Sequence, residues 1–301
     1  MEKEIQRTMK KILVTGSNGF IGQHLCPALD QLGHSVYAVD RTLGGDLCDK
    51  AFVDGLPDVD IVVHLAAHNG TKHFYNRPFD VVRDGVLPTQ YLLERYAGKV
   101  SRFVFTGTCE SYAGAVDLFN YPVPTDEKVP LVIGDVTNPR WSYGGSKIVN
   151  EIQVVAAKEQ FGQRYSIIRY HNVYGPGQQD HFIPEFYQRA LTGDLTLYGW
   201  ENTRSFMYIS DAIVATMRVI LEESFTNEIV NIGIDNEISI KDLAGKILTV
   251  AGIDGELILK DAPEGSVKRR CADVSKFNRL TWFVPKVELD EGIRLTLESL
   301  K

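Results

Sequence analysis

The sequence predicts an α/β chain, a doubly wound parallel sheet with a smaller lobe built from its C-terminal part. Three observations lead there. Apolar runs without polar alternation recur along the chain, and stretches of helical spacing separate them. Strands that stay apolar throughout are buried on both faces, as in a parallel sheet between two helical layers. A glycine-rich turn joins the first such run to the first helical stretch, and after Tyr170 the alternation loosens into loops rich in Gly, Pro and aromatics.

The elements follow in order. "KKILVTGSNGFIG" opens with a buried strand over Ile12 to Val14, passes through glycines and continues at helical spacing through Leu29. A second strand, Ser35 to Asp40, follows the break at Gly33, and "DIVVHLAA" gives a third. "RFVF", "YSIIRY" and "EIVNIG" supply later strands, with helical patterns in "PTQYLLERYA" and "SKIVNEIQVVAAKEQFG" between them. A helix starts near Ser210; beyond it short helices ("SIKDLAGKILTVAG", "LDEGIRLTLESL") alternate with strand-like pieces such as "ELILK". This pattern assigns residues 10–170 plus about 205–233 to the sheet domain, and about 171–204 with 234–301 to the lobe.

Bulk properties narrow the function. With 301 residues the chain can bury a substantial core. A formal charge of −7 argues against a nucleic-acid partner or a basic membrane-surface protein, so an anionic ligand needs local basic or N–H sites. The four cysteines, Cys26, Cys48, Cys109 and Cys271, show neither zinc spacing nor a disulfide framework, so no metal is expected and a reducing, cytoplasmic location is. Residues 1–9 lack the apolar core of a secretory signal, and no apolar run reaches the length of a membrane span.

Gly16, Gly19 and Gly22 form G-x-x-G-x-x-G between a strand and a helix. Glycines there permit a tight turn and let backbone N–H groups approach a pyrophosphate at the helix N-terminus, as in the Rossmann arrangement. Phe20 and Ile21 belong to the same turn. Asp40 ends the second strand, where a carboxylate bonds ribose hydroxyls and repels a 2′-phosphate. Arg41 could in principle accept that phosphate, but Asp40 favours NAD. Asp46 and Leu47 are expected near the adenine, although "GGDL" also reads as a polar loop.

Tyr143 and Lys147 in "SYGGSK" stand four apart, on one helix face. A free phenol has a pKa near 10; a nearby ammonium and an oxidised nicotinamide would let it act as a base near neutrality. A surface Tyr/Lys pair is also common on any helix.

Together with the glycine motif, this pair resembles the extended short-chain dehydrogenase/reductase family, the NAD-dependent nucleotide-sugar epimerases and dehydratases. The resemblance runs from Lys11 nearly to the C-terminus through "GSNGFIG", "HLAA", "YGGSK", "RYHNVYGP", "RSFMYISD", "VNIG" and "DEGIRLTLE". It implies that Thr108, four residues before Tyr112, joins Tyr143 on the hydroxyl at carbon 4 of a nucleotide-diphosphate sugar, while Lys147 holds the nicotinamide ribose. It further implies that Leu65, Ala66, Ala67, Thr106 and Tyr170 border the cofactor. His171, Asn172, Phe182, Ile183 (with Pro184), Arg204 and Arg270 would take the substrate, and two subunits would pair through two helices, one carrying Tyr143. The chain departs from the family pattern at Gly85, where an Asn is usual, at Pro88, and in "APEGS", which lacks a second diphosphate-binding arginine; Arg269 or Arg270 would replace it.

"TGTCESYAG" bears on the outcome. In 4,6-dehydratases an Asp-Glu pair follows the Thr; here it is Cys109 and Glu110, as in relatives that form 5,6-unsaturated sugars. A ketone at carbon 4 acidifies the carbon-5 proton, so Glu110 can serve as base, and a thiol with pKa about 8.5 can exchange a proton. Packing of Cys109 and satisfaction of loop N–H groups by Glu110 are the plainer readings. "HN" at His171 resembles the GDP-mannose 3,5-epimerases, which also use a cysteine but paired with a lysine and placed differently. Beside the sugar His171 could be a further acid/base, although a residue there more often contacts the cofactor through its backbone. The expectation is a nucleotide-sugar epimerase/dehydratase leaning to dehydration, with 4-epimerisation as the alternative. A net NADPH reductase and a non-catalytic NAD-sensing protein come behind these.

Overall fold

The computed structural model describes residues 9–68, 70–263 and 266–301. Residues 1–8, and Glu264 and Gly265 of the "APEGS" turn, lie outside the described residues. In chain order the strands are β1 (Lys11–Thr15), β2 (Ser35–Val39), β3 (Ile61–His64), β4 (Arg102–Thr108), β5 (Tyr165–Tyr170), β6 (Asn172–Tyr174), β7 (Thr196–Tyr198), β8 (Thr203–Tyr208), β9 (Glu228–Ile232), β10 (Glu237–Ser239), β11 (Ile258–Lys260) and β12 (Arg269–Arg270). The helices are α1 (Gly22–Gln31), α2 (Lys50–Asp54), α3 (Thr71–Asn76), α4 (Pro78–Tyr96), α5 (Ala113–Phe119), α6 (Trp141–Phe161), α7 (Phe182–Leu191), α8 (Ile209–Leu221), α9 (Ile240–Ala251), α10 (Ser275–Thr281) and α11 (Leu289–Glu298).

The main sheet has the order β2-β1-β3-β4-β5-β9, with every neighbouring pair parallel. This is the Rossmann-like architecture that the apolar runs predict. All seven residues of β4 and all four of β3 are buried, because helices cover both faces. From β1 the chain steps outward to β2, then crosses back to β3 on the other side of β1. That reversal opens a crevice at the carboxyl ends of β1 and β3, where ligands bind in such sheets.

A smaller sheet, β10-β8-β12 with β6 alongside β8, and the pair β11-β7 come from the chain beyond Tyr170. They bring Asn172, Arg204 and Arg270 over the carboxyl end of the main sheet. Among the described residues no helix is long and apolar enough to cross a membrane.

One element differs from its expected extent. The helical pattern "PTQYLLERYA" starts at Pro88, but α4 begins at Pro78 and carries Pro88 in its interior. Proline lacks the N–H that would bond the previous turn, yet α4 is long, starts with a proline at its favoured first position and packs on α6. Gly85 explains part of that contact. A Cβ there would sit 2.7 Å from the Ser146 hydroxyl, and its carbonyl accepts a 2.9 Å bond from the Asn150 side chain of α6. The glycine that departs from the family pattern thus seats the helix bearing Tyr143 and Lys147.

Candidate active site

The sequence motifs converge on one cavity of about 880 Å³ at the carboxyl end of the sheet. Its floor is the glycine turn. Gly16 has φ +72°, and a Cβ on it would lie 2.7 Å from the Ala66 backbone nitrogen; one on Gly22 would run into the Gly16 carbonyl. Side chains would therefore fill the cradle, and no side chain caps the N-terminus of α1. The residues present fit a dinucleotide whose pyrophosphate rests on these N–H groups. Gly16, Gly19, Phe20, Ile21, Gly22, Leu65, Ala67, Thr106 and Tyr170 line the cavity.

Other expected cofactor residues lie further off. Ala66 is half-buried behind the glycine turn. The Leu47 side chain packs in the core beneath β1, β3 and β4. Asp40 follows β2 and accepts bonds from the Thr42 N–H at 2.9 Å and the Asn18 N–H at 3.2 Å, which ties it to the glycine turn. Arg41 reaches Asp84 at 2.9 Å, with Asp46 beside it at 3.5 Å.

Thr108, at the end of β4, caps the short turn Cys109–Tyr112 by accepting the Glu110 N–H. Helix α6 presents Tyr143 and Lys147 to the same space. The Lys147 ammonium is buried and donates to the Thr106 carbonyl at 2.7 Å; it stands 5.8 Å from the centre of the Tyr143 ring. Burial drives Lys147 down to about 8, partly offset by Glu151, one turn on. Glu151 is itself held by Arg169 through bonds of 3.0 and 2.8 Å. Burial raises the Tyr143 phenol well above its ordinary value; Glu110 and Cys109 push the same way, and the Thr108 hydroxyl opposes them.

Glu110 meets Arg270 at 2.6 Å and Arg140 at 3.6 Å. Burial works against its ionisation, but Arg270, Arg140 and Arg204 outweigh it and hold the carboxyl below its usual range. Cys109 is buried against Tyr112, Ala115 and Val129, and burial keeps its thiol protonated. Arg270 faces the cavity whereas Arg269 turns outward to Glu237 at 2.6 Å, as strand alternation requires. Arg204 is the cross-strand partner of Arg270 and spends its guanidinium on the carbonyls of Thr203, Val267 and Lys268.

His171 lines the cavity, but its Nε2 shares a 2.5 Å hydrogen bond with the Tyr112 hydroxyl. Burial, with Arg270 adding to it, lowers the ring to about 3, so it is neutral at physiological pH. Asn172 bonds the Ser205 carbonyl at 3.0 Å, and Phe182 and Ile183 border the cavity from α7. Two further lining residues carry no sequence signal. Phe74 stacks on Tyr143, and Arg140, three residues before it, contacts Glu110.

Fold and site geometry are those of a dinucleotide-dependent α/β enzyme. More specifically, the chain belongs to the NAD dependent epimerase/dehydratase family, whose profile matches residues 12–233. It is 30% identical to UDP-N-acetyl-alpha-D-glucosaminuronate decarboxylase of Bacillus cytotoxicus, over 96% of this chain and 97% of that protein. It is 28% identical to human dTDP-D-glucose 4,6-dehydratase, over 96% and 89% of the two chains. The crystal structure of UDP-glucose 4-epimerase from Thermotoga maritima with UDP-glucose superposes with a TM-score of 0.85 at 28% identity, covering 96% of this chain and 98% of that one. These names span decarboxylation, dehydration and epimerisation, so family membership leaves the outcome to the residues of this site.

Proposed function

We propose that the chain is a nucleotide-sugar dehydratase working through a transient 4-keto sugar, with Glu110 taking the proton from carbon 5. One observation carries the reading: the loop after β4 sets Glu110, paired with Arg270 at 2.6 Å, next to the buried thiol of Cys109 on the cavity wall. The arginines favour the carboxylate and burial favours the protonated thiol. A 4-keto sugar that loses water needs that pair, an acceptor at carbon 5 and a donor for the departing hydroxyl. Thr108 and Tyr143 would hold the carbon-4 hydroxyl, and Tyr143 would remove its proton under the influence of Lys147. NAD, when bound, supplies the hydride acceptor. Arg270 and Asn172 would take the diphosphate, for which a guanidinium fork is suited, and Arg204 would join them by releasing its carbonyls.

A second reading has an observation of its own. Arg204 and Arg270 line the cavity beside Glu110, and a sugar bearing its own carboxylate would meet guanidinium groups there. Oxidation at carbon 4 would then make a β-keto acid that loses carbon dioxide, the chemistry named for the Bacillus relative. The division into residues 10–170 with about 205–233, and 171–204 with 234–301, and pairing of two chains through the outer faces of α4 and α6, belong to the same proposal.

Incubation with UDP- and dTDP-glucose and with UDP-glucuronate in heavy water, read by mass spectrometry and NMR, tests it. Loss of water with deuterium at carbon 5 is the expected result. Loss of carbon dioxide from the uronate favours the second reading. A clean 4-epimer without deuterium overturns both.

A further inference from the structure

The residue after Asp40 raises a separate question. Arg41 opens a short turn, Arg41–Leu43, at the end of β2, and its side chain is half-exposed. An arginine at this place is the group that ordinarily accepts the 2′-phosphate of NADP. Here the guanidinium is engaged. Its Nη1 donates to Asp84 Oδ2 at 2.9 Å, while the contacts of Nη2 with Asp46 at 3.5 Å and Cys48 Sγ at 3.7 Å are long.

Asp84 lies on α4 and is only 7% exposed. It also receives Arg83 Nε at 2.7 Å, His68 Nδ1 at 3.3 Å and the Cys48 thiol at 3.6 Å. A carboxylate this deeply placed is tolerated only when paired, and two guanidiniums pair it. Burial opposes its ionisation, yet Arg83 and Arg41 hold it ionised at about 2. To turn its whole guanidinium onto a 2′-phosphate, Arg41 would give up its bond to that buried charge and leave it to Arg83. Asp40, fixed to the glycine turn, is the carboxylate that would meet the ribose hydroxyls.

We propose that Asp84 is a specificity-determining residue for the cofactor, selecting NAD over NADP by holding Arg41 away from the ribose 2′ position. The selection is independent of what happens to the sugar, so it stands or falls apart from the dehydratase reading.

Calorimetric titration of the full-length protein with NAD and with NADP tests it. Asp84→Asn removes the charge and releases Arg41. It should strengthen NADP binding by about tenfold or more while NAD affinity stays within about threefold, the range expected for one charge-assisted contact. Arg41→Gln added to Asp84→Asn should abolish the gain. Arg41→Gln alone keeps the assay decisive if Asp84→Asn folds poorly; with Arg41 already withdrawn, it should change the NADP-to-NAD affinity ratio by less than about threefold. The proposal is overturned if Asp84→Asn folds and leaves that ratio unchanged. It is equally overturned if Arg41→Gln alone lowers the ratio by tenfold or more, since Arg41 would then already read the phosphate.

Discussion

The ring of Phe74 lies flat on the ring of Tyr143, with centroids 5.2 Å apart and planes 12° from parallel. Phe74 comes from α3 and is nearly buried, so one face of the phenol meets hydrocarbon where water would otherwise stand. Burial is the largest influence holding the Tyr143 proton on. A base acts only once deprotonated, so whatever hydrates Tyr143 lowers its pKa and moves the rising limb of kcat/KM to lower pH. Phe74→Ala should show that shift together with a fall in kcat of roughly tenfold. Phe74→Leu, which keeps apolar volume, should move the limb much less. An unmoved limb in Phe74→Ala would confine Phe74 to packing.

Lys147 makes a prediction about stability. Its pKa falls from an ordinary 10.5 to about 8 because the ammonium is buried. Between those values the unfolded chain binds more protons than the folded one, so this residue's contribution to stability rises with pH across the window. Below it the full penalty applies. Lys147→Met removes the penalty at the cost of the Thr106 bond. It should stabilise the protein by about 2 kcal/mol at neutral pH, with the gain shrinking above about pH 8 and absent above about 10.5, while turnover is abolished. Denaturant unfolding of both proteins across that range measures it; a variant less stable at neutral pH contradicts the assignment.

How much of this was legible in sequence depends on the kind of constraint. The main-sheet strands could be read because burial on both faces forces continuous apolar runs, and the glycine turn because its backbone geometry excludes side chains. Tyr143 and Lys147 could be paired because helical spacing is fixed. Phe74 and Arg140 escaped, since one sits on a six-residue helix and the other just before the start of α6, stretches too short for a period to relate position to direction. The engagement of Arg41 escaped for another reason: Asp84 lies far along the chain, and only the crossing from β2 to β3 brings α4 beside it. Arg269 and Arg270 stayed open alternatives until strand pairing with β8 decided which faces inward.

The outer faces of α4 and α6 carry apolar side chains that the single chain leaves in solvent, Phe79 at 77% and Ile152 at 62% exposed, with Val82 and Val149 nearby in sequence on the same helices. A second copy is the occupant proposed for them. Ile152→Glu would place a charge in that contact and should give a monomer by light scattering, while an unaltered assembly would show that this face is not the contact.

Glu110 and Arg270 hold the sharpest test of the chemistry. Their 2.6 Å contact keeps the carboxylate ionised, so it can accept a proton, but it also weakens the base. The ketone at carbon 4 compensates by acidifying the hydrogen that must be removed, and a weak base suffices. Glu110→Gln keeps the shape and loses the acceptor. It should fold, though less stably by about 3 kcal/mol because Arg270 loses its buried partner. Bound substrate diphosphate should restore part of that loss by supplying negative charge, raising the melting temperature of Glu110→Gln more than that of the unaltered protein. Solvent deuterium should no longer enter carbon 5, and net turnover should fall by about a hundredfold or more, the range for a lost acid/base group. Arg270→Met tests the other half. Freed of its strongest cation, Glu110 titrates higher, and the acid limb of any residual activity should move to higher pH. If Glu110→Gln turns over normally with deuterium still entering, Glu110 is a partner for arginines and nothing more, and the proton at carbon 5 leaves by another route.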